Sequence, residues 1–175
     1  GKIIGDFSLA RLGDTRFLII GSGIAESCHM RWFLSHLPGD GSVQVKSLGL
    51  DLVGLTIAGP KAREVLQKCS KTDVSHEAMR FMPVREMDVG MTPAIVGRVS
   101  YSGDLGYEIW VKPASLARLY DDLMAAGSDF DIRPFGSRAL NALRLEKNYG
   151  SWGREYRPLY GPVEVGLDRF VAYDK

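Results

Sequence analysis

The sequence predicts an α+β fold, with antiparallel sheets and packed helices, and three observations carry that expectation. Short runs rich in β-branched and aromatic residues recur at 52–58, 81–89, 92–100 and 107–111, with turn residues between them. Apolar stripes at helical spacing fall before and after these runs rather than in strict alternation with them. Finally, 175 residues with 45% hydrophobic and 25% charged content suffice for a real core in one large domain or two small ones. The expected division is 1–51, a hairpin, helix and strand, and 52–175, a ferredoxin-like half over 52–132 followed by a further helix and strand.

Taken in order, residues 2–12 read as a strand with Phe7 and Leu9 on one face and Asp6 and Ser8 on the other. Gly13 and Asp14 turn the chain into a second strand at 16–20, giving a hairpin. Met30, Phe33, Leu34 and Leu37 give a helix over 25–37 its apolar stripe, and the Pro38-Gly39-Asp40-Gly41 run stops it. The Gly21-Ser22-Gly23 sequence before that helix lacks the spacing of either nucleotide-binding signature, and no Gly-Lys-Ser/Thr follows, so a phosphate loop is not supported. A strand is expected at 43–48. The next, at 52–58, runs through Gly59 and Pro60 into a helix striped by Ala62, Val65, Leu66 and Cys69. Strands at 81–89 and 92–100 meet near Gly90. Pro113 and Ser115 open a helix that turns Leu116, Leu119, Tyr120 and Leu123 inward and ends at Gly127. Ser137 can cap a helix to about Lys147 with Ala139, Leu140 and Leu143 inward, and 169–173 is strand-like.

Composition removes several function classes. A net charge of +1 gives no case for nucleic acid or a membrane surface. Cys28 and Cys69 form no CxxC and read as free buried thiols, while His29, His36 and His76 show no metal-ligand spacing, so no metal is expected. No apolar run is long enough to span a membrane and no targeting segment is present. The start in mid-pattern at Gly1 and the stop after 169–173 read as a piece of a longer protein. No flavin or nicotinamide fingerprint and no linked Ser, Cys or His nucleophile motif occurs.

The informative stretch is 98–111, RVSYSGDLGYEIWV. A strand closes at Ser100, Ser102 to Gly106 turn the chain, and 107–111 form a second strand. Gly103 and Gly106 mark places where the backbone needs positive φ or close approach. Glu108 lies among apolar residues. Alternation puts it on one face with Trp110, and puts Tyr107, Ile109 and Val111 on the other. A carboxylate there is either salt-bridged on a wet face or a hook that accepts two parallel N–H bonds from a planar ring, with Trp110 or Tyr101 covering the ring. The pattern leaves both open.

YSGDLGYEI resembles the signature of the folate-binding T-protein family: tyrosine, serine or threonine, glycine, glutamate, any residue, glycine, an aromatic, glutamate, then isoleucine or leucine. That family includes glycine-cleavage aminomethyltransferase and the C-terminal halves of dimethylglycine and sarcosine dehydrogenases. Asp104 replaces the usual glutamate of the turn. AGPKAREVL at 58–66, ALNALRLEKNYGSWGREY at 139–156 and PVEVGL at 162–167 extend the resemblance along nearly the whole chain. The 138–147 run followed by Trp152-Gly153 is similar to the dehydrogenase branch.

The resemblance implies a tetrahydrofolate-binding aminomethyltransferase-like domain that transfers a one-carbon methylene unit to tetrahydrofolate. It implies that Glu108 accepts hydrogen bonds from the pterin and that Tyr101 lines the site; Trp110, on the strand face of Glu108, is the third candidate for a folate contact. It also implies that an aspartate on the first strand is catalytic. Asp6 is the only carboxylate there. The stand-alone enzymes carry two adjacent acids there, so Gly5 is the alternative occupant, and a surface aspartate beside a turn is the plain alternative. Leu140 stands where stand-alone enzymes place an arginine against folate, and neither Arg138 nor Arg144 matches that position. FAD, if used, belongs to a domain outside this chain. The other expectations are flanking domains as partners, a homodimer of the isolated piece, and a cytoplasmic or mitochondrial-matrix location. The rival function is a non-catalytic folate-binding or structural module.

Overall fold

A computed structural model describes residues 1–174. The fold is α+β, and every paired strand of the main sheet is antiparallel. The chain forms two compact units: one from Gly1–Leu9, Leu18–Gly49 and the stretch from Gly150 onward, the other from Ala10–Phe17 and Leu50–Tyr149. The C-terminal stretch, grouped on sequence with the second half, therefore clusters with the first unit. Among the described residues no helix is long and apolar enough to cross a membrane.

The second unit is built around a four-stranded sheet in the order β3-β6-β5-β4. Its strands are β3 (Val53–Ala58), β4 (Val84–Val89), β5 (Thr92–Gly97) and β6 (Gly106–Val111). Helices α2 (Ala62–Cys69) and α3 (Leu116–Gly127) pack on one face. The chain runs β3-α2-β4-β5-β6-α3, an antiparallel sheet with two packed helices; α3 follows the last strand, whereas the expected ferredoxin-like half would place its second helix before that strand. Val65 and Leu66 of α2 and Leu119 and Leu123 of α3 meet Tyr107, Ile109 and Val111 of β6 in one core. Burying that apolar face is what stabilises short strands that would not persist alone. Gly59, at φ 126°, makes the turn from β3 toward α2 that the Gly-Pro pair predicts. Tyr120 is not inward: it is 43% exposed. Helix α4 (Ser137–Glu146) is capped by the backbone of Gly136, not by the Ser137 hydroxyl. Ala139 faces out, and the fully buried residue of α4 is Arg144.

The first unit carries α1 (Glu26–Ser35); β1 (Ser8–Arg11) and β2 (Phe17–Ile20) pair in a two-stranded sheet. The first strand is shorter than predicted, and Leu9 points outward while Ala10 is buried. In α1 the predicted stripe is at most half-buried, Leu34 is exposed, and the buried side chain is His29. Residues 43–48 are not a strand. They have no partner strand, and Glu26 of α1 instead accepts bonds from the Ser47 hydroxyl and the Gly49 N–H. Residues 169–173 are not a strand either: a short 3-10 turn occupies Asp168–Phe170. Both cysteines are free, but Cys28 is exposed and Cys69 only half-buried.

Candidate functional site

Strand β6 lies inside the sheet, so both neighbours fix its side-chain directions. Tyr107, Ile109 and Val111 enter the core, at 0%, 0% and 2% exposure. Glu108 and Trp110 therefore stand on the face away from α2 and α3. Thr56 of β3 is in register with Glu108 on one side and Gly97 of β5 on the other. Two glycines leave room for the indole of Trp110. A methyl added at Gly54 would stand 2.8 Å from Trp110 Cδ1 and 2.8 Å from the Ile109 carbonyl oxygen; one at Gly97 would stand 3.0 Å from Trp110 Cζ3. The indole thus lies along the sheet, over the two glycine positions. Its six-membered ring reaches Gly97, the register partner of Glu108.

Glu108 is half-buried, and no described residue gives it a hydrogen bond or ion pair. The salt-bridged reading is therefore not the one the structure adopts. Burial raises the Glu108 pKa above the usual carboxylate value, because the charged form loses hydration without gaining a donor. A cavity of about 550 Å³ lies between β3 and residues of α3, with Gly54, Thr56, Lys61, Leu123 and Leu140 in its lining; Glu108, Trp110 and Tyr101 do not line it. Leu140, the position the resemblance singles out, thus contributes an apolar wall and no guanidinium.

The turn before β6 is held by its own side chains. The Ser100 and Ser102 hydroxyls are 2.8 Å apart, and Ser102 Oγ accepts from the Asp104 N–H at 3.4 Å. Gly103 has φ +80°, and a side chain there would also strike Lys147, whose Nζ pairs with Asp104 at 3.1 Å. Gly106 is required by close approach: a methyl would stand 3.0 Å from the Ile57 carbonyl oxygen. Tyr101 is half-buried, with the Arg144 guanidinium 5.9 Å from its ring centroid. Arg144 is held in turn by Asn141 Oδ1 at 3.0 Å from its Nε and by the Tyr149 carbonyl at 2.8 Å from its Nη1. Sequence reasoning missed Arg144 as a support for Tyr101. The available signal was its place on the inward face, one residue after Leu143 and four after Leu140.

Asp6 belongs to the first unit. Its residue area is largely exposed, yet surrounding protein still raises its pKa by desolvation, and no described residue donates a hydrogen bond to it. The adjacent Phe7 ring fills the space left by two glycines; a methyl at Gly5 would stand 2.3 Å from it and one at Gly21 2.7 Å. No acidic side chain fits at Gly5 unless Phe7 moves. Gly21 thus serves packing against Phe7, whereas Gly23 stands in open space. Phe7 meets His29 edge-on at 4.7 Å and Phe33 at 5.4 Å, and Trp152 closes on the far side of His29 at 4.9 Å. Among the described residues no group of three His, Cys, Asp or Glu side chains could hold a metal ion.

The model of the GCVT N-terminal domain family matches residues 1–175. Mitochondrial dimethylglycine dehydrogenase from Homo sapiens is 34% identical over 176 residues, covering all of this chain and 20% of that protein. An aminomethyltransferase from Natranaerobius thermophilus is 28% identical over 176 residues, again covering this whole chain and 47% of that protein. The chain thus spans between a fifth and a half of the length of these relatives. Among solved structures, a heterotetrameric sarcosine oxidase from Corynebacterium sp. U-96, in complex with pyrrole 2-carboxylate, shares the fold. Its TM-score is 0.58 at 21% identity, over 78% of this chain and 66% of that one.

Proposed function

The chain belongs to the GCVT N-terminal domain family, and on that premise we propose that it binds tetrahydrofolate and transfers a one-carbon methylene unit to it, within a dimethylglycine or sarcosine dehydrogenase-like enzyme. The observation that carries the reading is Glu108: a half-buried carboxylate without an internal donor, on the same strand face as an indole laid over two glycines. That pairing suits a planar ring with adjacent N–H donors on its edge, which is the chemistry of a pterin.

In this reading Glu108 accepts the ring's N–H groups and Trp110 offers an apolar face. Tyr101, steadied by Arg144, supplies a second aromatic wall. Tetrahydrofolate supplies the two nitrogens that take up the one-carbon unit. Asp6 places negative charge beside that unit, stabilising positive charge as it arrives and accepting a proton at a carboxylate oxygen. Its raised pKa favours proton uptake. Oxidation of a methylated amine, where the full protein performs it, falls to an FAD domain outside this chain. The flanking parts of the protein are then its partners, in the mitochondrial matrix or cytoplasm.

The test compares the full-length protein with its Asp6→Asn variant by product partition. The variant is expected to bind tetrahydrofolate with wild-type affinity by calorimetry while releasing more one-carbon unit as free formaldehyde. Unchanged formation of the folate product would remove Asp6 from the chemistry and leave a folate-holding module.

A further inference from the structure

We propose that His29 is a positioning residue for Asp6: its Nε2–H fixes the backbone that presents the carboxylate. This rests on the reading of Asp6 given above. His29 is 4% exposed on α1, and Nε2 lies 3.0 Å from the carbonyl oxygen of Ile4, two residues before Asp6. A carbonyl can only accept, so Nε2 carries a proton in this contact. Residues 1–7 precede β1 and gain no strand pairing, so this side-chain bond does work that a sheet ladder would otherwise do.

The imidazole is held in place from several sides. Phe7 abuts it edge-on at 4.7 Å and Trp152 at 4.9 Å. The Cα of Gly5 comes close enough that a methyl there would stand 3.1 Å from Nε2. The residues on either side of Asp6 are therefore both locked against the same ring: Gly5 by approach, Phe7 by packing. No described residue gives Asp6 a hydrogen bond that would set its direction. Its placement comes from this backbone, which His29 holds at the Ile4 carbonyl and the Tyr160 carbonyl holds one residue earlier at the Ile3 N–H.

The experiment uses the full-length protein with His29→Leu, which fills the space without a donor, and His29→Gln, which restores an N–H. His29→Leu should lower kcat for methylene transfer about 10- to 100-fold, the scale for misplacing a reacting group by about an ångström. The dissociation constant for tetrahydrofolate should stay within twofold, and His29→Gln should recover most of the rate. In an Asp6→Asn background, His29→Leu should add no further loss, because its effect runs through the carboxylate. A multiplicative loss there would overturn the proposal, and so would a wild-type rate in His29→Leu alongside a slow Asp6→Asn. A wild-type rate in Asp6→Asn would instead sink the reading of Asp6. Should His29→Leu fail to fold, nitrogen NMR of the unmodified ring decides: a protonated Nε2 supports the clamp, and a neutral Nδ1–H tautomer overturns it.

Discussion

Replacing Glu108 with glutamine should stabilise the free protein and weaken folate binding. In the folded chain the carboxylate is half-buried without a donor, and burial raises its pKa above the ordinary value of 4.5. The folded state therefore holds that proton more tightly than the unfolded chain does. Stability falls as pH rises from the ordinary value through the raised one, and the deficit persists at neutral pH. Glutamine carries no charge and removes it, so the melting temperature at pH 7 should rise and its decline across that window should flatten. Binding moves the other way. Two charge-assisted acceptors become one neutral acceptor and one donor that faces the ring's own donors. No internal partner has to be given up first, so the loss falls on the ligand contact, at about 2–4 kcal/mol, or roughly 30- to 1000-fold in Kd. Calorimetric titration with tetrahydrofolate and a thermal melt of the same preparations measure both halves. Unchanged affinity would refute the pterin contact, and a lower melting temperature would refute the account of Glu108 as an unpaired charge.

Tyr101→Ala should weaken folate binding measurably in the same titration while costing only about 0.5–1 kcal/mol of stability, the worth of the cation–π contact with Arg144; a collapse of the melt with intact binding would make Tyr101 a core residue. Gly97→Val should tip the Trp110 indole off the sheet, since even a methyl there stands 3.0 Å from its Cζ3. The expected result is a moved Trp110 N–H resonance and weaker folate binding, with a stability cost of about 1–3 kcal/mol for overpacking. An unmoved resonance would show that the glycine does not set the indole's place.

What could be read in advance was what depends on neighbours in sequence. The turn at 102–106 announces itself because Gly103 and Gly106 answer local demands of φ and close approach. The pairing of Glu108 with Trp110 on one face follows from alternation alone. Residues 43–48 have strand composition but no strand to pair with, and a ladder needs a second chain segment that local pattern does not reveal. Arg144 and His29 were missed for a related reason. A charged or polar side chain is buried only where distant groups satisfy it, here Asn141 and the Tyr149 carbonyl for one and the Ile4 carbonyl for the other. Tyr120 was placed inward by helical spacing, yet the amphipathic tyrosine keeps much of its surface in water.

The first unit is assembled from three separated stretches of chain, and its N-terminal stretch is tied to its last by the Ile3 N–H on the Tyr160 carbonyl at 3.0 Å and by Lys2 with Glu164 at 3.6 Å. All but a short piece of the second unit is one continuous run, Leu50–Tyr149. On a ribosome, which delivers the chain from its N-terminus, the two have different schedules. The sheet bearing Glu108 has all its strands once Val111 has emerged. The segment bearing Asp6 must wait, with its apolar side chains uncovered, until residue 160 has been made, and must then close a loop through nearly the whole sequence. Contacts of that span form slowly, so the carboxylate proposed for chemistry takes its place only after the one proposed for binding.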